Sequence, residues 1–179
     1  MSQPPATPPS DVIDVRPDEG FDETRVAAFL RGKLPGSERP LTVRQFAGGH
    51  ANLTYQLRFG EGDDAVEYVL RRPPLGPVAP GSHDMSREHR VLSVLWKAFP
   101  LAPRSFVFCD DASILGAPFF VMERRRGIVV RGAIPPEFGG GADAESNRKL
   151  AQVVVDVLAA FHAVEPAKAE LGDLGRPDG

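Results

Sequence analysis

Hydrophobic positions along the chain follow first a helical and then a strand rhythm. In FDETRVAAFLRGKL, Val26, Phe29, Leu30 and Leu34 recur at helical spacing behind Asp22, whose short carboxylate suits a helix N-cap. This predicts a helix ending at Pro35-Gly36. From residue 41 the period becomes two. LTVRQFA reads as a strand, Gly48-Gly49-His50-Ala51-Asn52 as a turn, and Leu53, Tyr55, Leu57 and Phe59 then alternate with polar residues. GEGDD is a turn before a third strand, 66–72. Three strands with short connections imply an antiparallel meander.

Pro73-Pro74 stop the third strand and open the loop PPLGPVAPGSHD. Met85, Glu88, Leu92, Leu95, Trp96 and Phe99 then lie near one side of a helix over 85–99. RSFVFCDD and PFFVMER are two further strands, joined by a turn at Asp110-Asp111. After Glu123 come a basic, flexible RRRG, a short extended IVVRG and the loop PPEFGGGAD. Leu150, Val153, Val154, Val157, Leu158 and Phe161 form a broad apolar stripe on a helix over 145–163. Such a stripe needs a surface to cover it: the preceding sheet or a further lobe. The closing AELGDLGRPDG reads as a linker. Residues 1–20, polar and proline-rich, are expected to be a flexible tail.

Composition narrows the class. The chain has 179 residues, 42% hydrophobic and 25% charged, with Gly 18 and Pro 18, so a buried core is expected. A net charge of −3 argues against a nucleic-acid partner held by phosphate neutralisation. The one cysteine, Cys109, excludes an internal disulfide framework and a cysteine-rich zinc site. No stretch approaches the ~18 apolar residues of a membrane helix, and the N-terminus has no basic start followed by an apolar block. The expectation is a soluble cytoplasmic protein without a membrane partner.

Four places could carry chemistry. The glycines at 48 and 49 permit close backbone approach to a phosphate, although the same turn is common in plain hairpins. Glu67, Val69 and Arg71 share one strand face; Tyr68, Leu70 and Arg72 share the other. A strand-borne arginine near a glycine turn can bind phosphate bidentately, yet taken alone both arginines are expected to be solvated strand-end charges. Glu88 falls on the apolar side of its helix, where a carboxylate wants a cation, and Arg71 is the natural partner. Met122-Glu123 closes the last strand, where backbone groups could meet a planar base. The run Arg124-Arg125-Arg126 reads as a solvated loop or a contact for an anionic substrate. His50, His83, His89 and His162 have no compact metal-ligand spacing, and Cys109 reads as inert core.

The runs GGHANLTYQLRF, VEYVLRRPPLGPVAPGSHDMSREHRVL and LGAPFFVMERRRG, in that order, resemble the aminoglycoside-phosphotransferase-like, kinase-like family. They look closest to the branch related to the kinase-like domains of acyl-CoA dehydrogenase family members. LAAFHAVEPAKAELGDLGRP is similar to the opening of that family's second lobe. The resemblance implies an α+β fold: a kinase-like N-lobe over 21–125, with a five-stranded antiparallel sheet and helix C, then over 126–179 a linker and the first helix of a helical C-lobe. It implies that Gly48, Gly49 and Asn52 cover the phosphates of ATP. Arg71 would replace the strand-three lysine of many kinases, with Glu88 its helix-C partner and Val69 on the same face. Met122 with Glu123, Arg124 and Arg125 would line the adenine pocket.

Nothing after residue 163 fits the family's His-Gly-Asp loop or its metal-binding Asp; Asp173 in LGDLG lacks the flanking residues. The general base and the magnesium ligands are therefore expected in a C-lobe missing from these residues, which alone are expected to be inactive. The expected activity is ATP-dependent phosphorylation of a hydroxyl on a small molecule. The alternative is a noncatalytic nucleotide-binding or interaction domain. The apolar stripe of 145–163 is an expected surface for self-association.

Overall fold

The computed structural model describes residues 11–48, 51–77, 79, 82–130 and 132–174. Six strands form one antiparallel sheet in the order β1-β2-β3-β4-β6-β5. They are β1 (Val12–Ile13), β2 (Leu41–Phe46), β3 (Leu53–Phe59), β4 (Val66–Arg72), β5 (Ser105–Cys109) and β6 (Phe119–Glu123). The helices are α1 (Glu23–Leu30), α2 (Met85–Leu95), the short α3 (Ala112–Leu115) and α4 (Ala144–His162). The chain divides into two compact units, 1–93 with 104–124 and 94–103 with 125–179.

Alternation sorts the sheet into two faces. Val43, Tyr55, Leu57, Phe59, Tyr68, Leu70, Phe119 and Val121 point to one of them, where they join Val26, Leu30 and Leu34 in a single buried cluster. Phe29 on α1 meets Phe119 edge-on at 5.7 Å. On the other face lie Thr54, Gln56, Glu67, Val69, Arg71, Phe120 and Met122, and α2 packs there. His89 stacks on Phe108 with centroids 5.5 Å apart and pairs through Nδ1 with Ser105 Oγ at 2.8 Å.

Several boundaries differ from the sequence expectation. The sheet has six strands rather than five, because part of the expected N-terminal tail is paired: Val12 faces Phe46 and Ile13 faces Gln45. The cause is Gln45, only 1% exposed on the core face of β2. A buried amide must find partners. Arg16 N–H donates to its Oε1 at 3.0 Å, and its Nε2 donates to Glu19. The Tyr55 hydroxyl then holds Glu19 O at 2.6 Å. Residues 1–10 of the expected tail lie outside the described residues.

Helix α1 is capped by Asp22, which accepts from Arg25 N–H at 3.1 Å, as expected. It stops at Leu30 rather than Pro35-Gly36, because Gly32 takes the left-handed conformation (φ 73°) just past the cap. Helix α2 ends at Leu95 rather than 99. Its last turn tightens, with Lys97 N–H on Val94 O and Ala98 N–H on Leu95 O, ahead of Pro100.

In the second unit, α4 starts at Asp143, whose carboxylate accepts from Glu145 N–H and Ser146 N–H. These bonds, with that of the Ser146 hydroxyl, hold its pKa below the usual range. Phe161 meets Phe99 edge-on at 5.4 Å, and Lys97 pairs with Glu170 at 2.8 Å. Val153, Val154, Val155 and Leu158 are half or more exposed, so most of the stripe is uncovered. Among the described residues no helix is long and apolar enough to cross a membrane.

Leu57 is fully buried between α1 and the sheet. Leu57→Ala should destabilise the chain by about 3 kcal/mol, lost transfer energy plus a cavity, read in urea unfolding as a lower midpoint with unchanged slope.

Candidate functional site

The site lies on the α2-covered face of the sheet. Arg71 ends that face on β4, and its Nε lies 3.3 Å from Glu88 Oε2. Both side chains are about one-third exposed, so the pair is reachable by a ligand. Among the described residues the terminal nitrogens of Arg71 make no hydrogen bond, and its buried Nε makes none either: the contact with Glu88 is an ion pair. Glu88 stands on the first turn of α2, whose N-terminus Asp84 caps through Arg87 N–H at 3.0 Å. The Ser86 hydroxyl and this N–H hold the Asp84 carboxyl below its usual range.

Asn52, at the end of the glycine turn, is 7% exposed. Its Nδ2 donates to Glu88 Oε1 at 3.1 Å, and its Oδ1 lies 2.6 Å from His83 Nδ1. Glu88 is thus held from two sides, by Arg71 and by Asn52. Gly48 is half-buried; Gly49 and His50 lie outside the described residues. Val69 sits directly opposite Met122 on the same face, two residues before Arg71. Asn52, Val69, Arg71, Glu88 and Met122 are therefore brought to one face.

Residues 123–125, at and after the end of β6, behave differently from one another. Glu123 N–H already donates to Arg104 O at 2.8 Å, and its carboxylate accepts from Arg104 N–H at 3.2 Å. Arg124 is not a solvated loop charge. It is 12% exposed, bonds Glu67 at 2.7 Å and Asp11 at 3.1 Å, and lies over the Phe46 ring at 5.7 Å. Arg125 belongs to the second unit, where it donates to Pro100 O at 2.8 Å and Ala102 O at 3.0 Å. Nor is Arg72 a solvated strand end. It is 5% exposed on the core face, and its Nη1 donates to Leu115 O at 3.3 Å.

Sequence reasoning missed two features. His83 has no motif around it; only its place one residue before the α2 cap hints at a role. Glu67 was placed on the right face, but its double pairing was not foreseen. At 6% exposure it holds Arg58 at 2.8 Å and Arg124 at 2.7 Å. Arg58 lies directly across the β3–β4 ladder, so that half was readable as a cross-strand pair. Among the described residues no three His, Cys, Asp or Glu side chains gather as a metal site.

Residues 42–179 match the model of the phosphotransferase enzyme family, and the chain belongs to that family. Its sheet and helices match the kinase-like N-lobe of aminoglycoside phosphotransferases. A solved chain from Ralstonia eutropha JMP134, provisionally assigned as an aminoglycoside phosphotransferase, superposes with a TM-score of 0.67 at 28% identity over 88% of this chain. Acyl-CoA dehydrogenase family member 11 of Gallus gallus is 33% identical over 93% of this chain, and that of Homo sapiens 31% over 97%. Member 10 of Mus musculus is 28% identical over 90%. The chain spans 21% and 22% of the two member 11 proteins, 14% of member 10 and 43% of the solved chain.

Two outcomes are expected here. Glu67→Ala should cost about 3 kcal/mol in chemical unfolding, since the buried Arg124 guanidinium loses its shortest ion pair. Burial holds the His89 imidazole below its usual 6.5, so the unfolded chain binds that proton more readily. Its contribution is intact above about 6.5 and is lost as pH falls from there toward the folded-state value. Lowering the pH from 7.5 to 5.5 should reduce Tm, and His89→Gln should flatten that slope.

Proposed function

We propose that this chain binds ATP on the Arg71 face, as the nucleotide-binding part of a phosphotransferase that acts on a hydroxyl of a small molecule. One observation carries the reading. Glu88 anchors Arg71 by Nε alone and leaves its terminal nitrogens open at a partly exposed position. A guanidinium fixed at one end and open at the other is arranged to receive phosphate oxygens bidentately. Phosphoryl transfer depends mainly on such positioning and charge stabilisation.

The neighbouring residues suit the rest of the nucleotide. Val69 and Met122 offer apolar contact for a base, and the Met122–Arg124 segment brings backbone beside them. Asn52, directly before β3, stands beside Glu88 at the proposed phosphate end. Magnesium accompanies the nucleotide and neutralises its phosphates when bound; the residues described here supply the cationic and apolar contacts.

MgATP at ten times its Kd should raise Tm by about 4 °C, the shift expected from mass action on a chain of this size. Arg71→Ala should weaken binding by about 2 kcal/mol, roughly thirtyfold. Both are read by thermal-shift titration. No stabilisation of the parent chain by millimolar MgATP would leave a noncatalytic interaction domain as the better reading.

A further inference from the structure

Asn52 has one acceptor and one amide group to place, and both are used. Its Nδ2 donates to Glu88 Oε1 and its Oδ1 meets His83 Nδ1. Turned the other way, the amide would set its oxygen against the Glu88 carboxylate, acceptor against acceptor. The observed orientation therefore requires a proton on His83 Nδ1, donated to Asn52 Oδ1. The other oxygen of Glu88 faces Arg71. One continuous run, His83–Asn52–Glu88–Arg71, thus links the loop after β4, the end of the glycine turn, α2 and β4.

His83 itself is held in an uncommon conformation. Its φ is 54°, in the left-handed region that glycine adopts freely and that asparagine, aspartate and histidine adopt more readily than other residues. Its side chain also walls a cavity of about 360 Å³ with Pro73, Met85, Phe108 and Pro118. The ring is placed by its contact with Asn52, at 2.6 Å from Oδ1.

We infer that His83 is a positioning residue for Arg71. It fixes the Asn52 amide, which fixes the Glu88 carboxylate, which aligns the guanidinium. The inference rests on the nucleotide-binding reading above for its effect on ligand affinity, but not for the relay itself.

Two substitutions separate this role from that of a simple turn residue. Glycine and asparagine both accept φ near 54°. Only asparagine keeps a donor, because its Nδ2 stands, like the imidazole Nδ1, one bond beyond Cγ. His83→Gly should weaken MgATP binding about five- to tenfold, the loss of one orienting hydrogen bond, while His83→Asn stays within about twofold. Equal affinity in both variants would overturn the inference.

The relay has its own readout in the nucleotide-free chain. The NMR resonances of the Asn52 side-chain amide and the Arg71 Nε–H should shift in His83→Gly and hold in His83→Asn. Unmoved resonances in His83→Gly overturn the inference whether or not MgATP binds. A parent chain that fails to bind MgATP overturns the nucleotide reading instead, and the resonances then decide the relay. If His83→Gly does not fold, His83→Asp takes its place: it tolerates the backbone but sets an acceptor where a donor is needed, and the same shifts are expected.

Discussion

The pairing of β3 with β4 constrains everything else on this sheet. All seven residues of each strand are matched, from Leu53 opposite Arg72 to Phe59 opposite Val66. Side chains alternate across a strand, so this register alone decides that Tyr68 and Leu70 enter the core while Glu67, Val69 and Arg71 face α2. A slip of one residue would exchange Arg71 for Arg72 and put a carboxylate into the apolar cluster. The identical neighbours have opposite fates for this reason. Arg72 is buried at a helix C-terminus with Leu115 O, where a cation meets the negative end of the backbone dipoles. Arg71 remains half open.

Two carboxylates on the same face show how burial divides structural from poised charge. Glu67 is nearly inaccessible and bonds two arginines, so removing it would cost the buried Arg124 guanidinium its shortest ion pair. Glu88 is about one-third exposed, and an ion pair in that setting adds little to stability. Its value is geometric: it anchors one edge of Arg71. The fold therefore secures the sheet at Glu67, beside Arg124, and keeps the charge at Arg71 partly exposed.

Much of this was legible in the sequence, and the rest was hidden for identifiable reasons. Period-two alternation carried β3 and β4, Asp22 marked the start of α1, and helical spacing set Glu88 inward toward Arg71. Those signals are local, and local signals survive without tertiary knowledge. The strand Val12–Ile13 was lost because two residues have no period; its cause is the buried amide of Gln45, over thirty positions away. The anchoring of Arg124 depends on Asp11, separated from it by 113 residues, which no window along the chain can see. The family resemblance suggested residues to face a phosphate, but not His83, whose contact with Asn52 appears only in the folded chain.

The arginine at position 71 follows from this arrangement. A lysine offers one ammonium, and the carboxylate that orients it competes directly with a phosphate for that single group. A guanidinium separates the two tasks. Its Nε edge faces Glu88, while its terminal nitrogens form a second edge that a ligand could use. With Glu88 itself steadied by Asn52, the cation is oriented before any nucleotide arrives, so little ordering remains to be done on binding. Substituting lysine would keep the charge and lose this division. On this physical argument an arginine at position 71 suits the proposed phosphate-holding role.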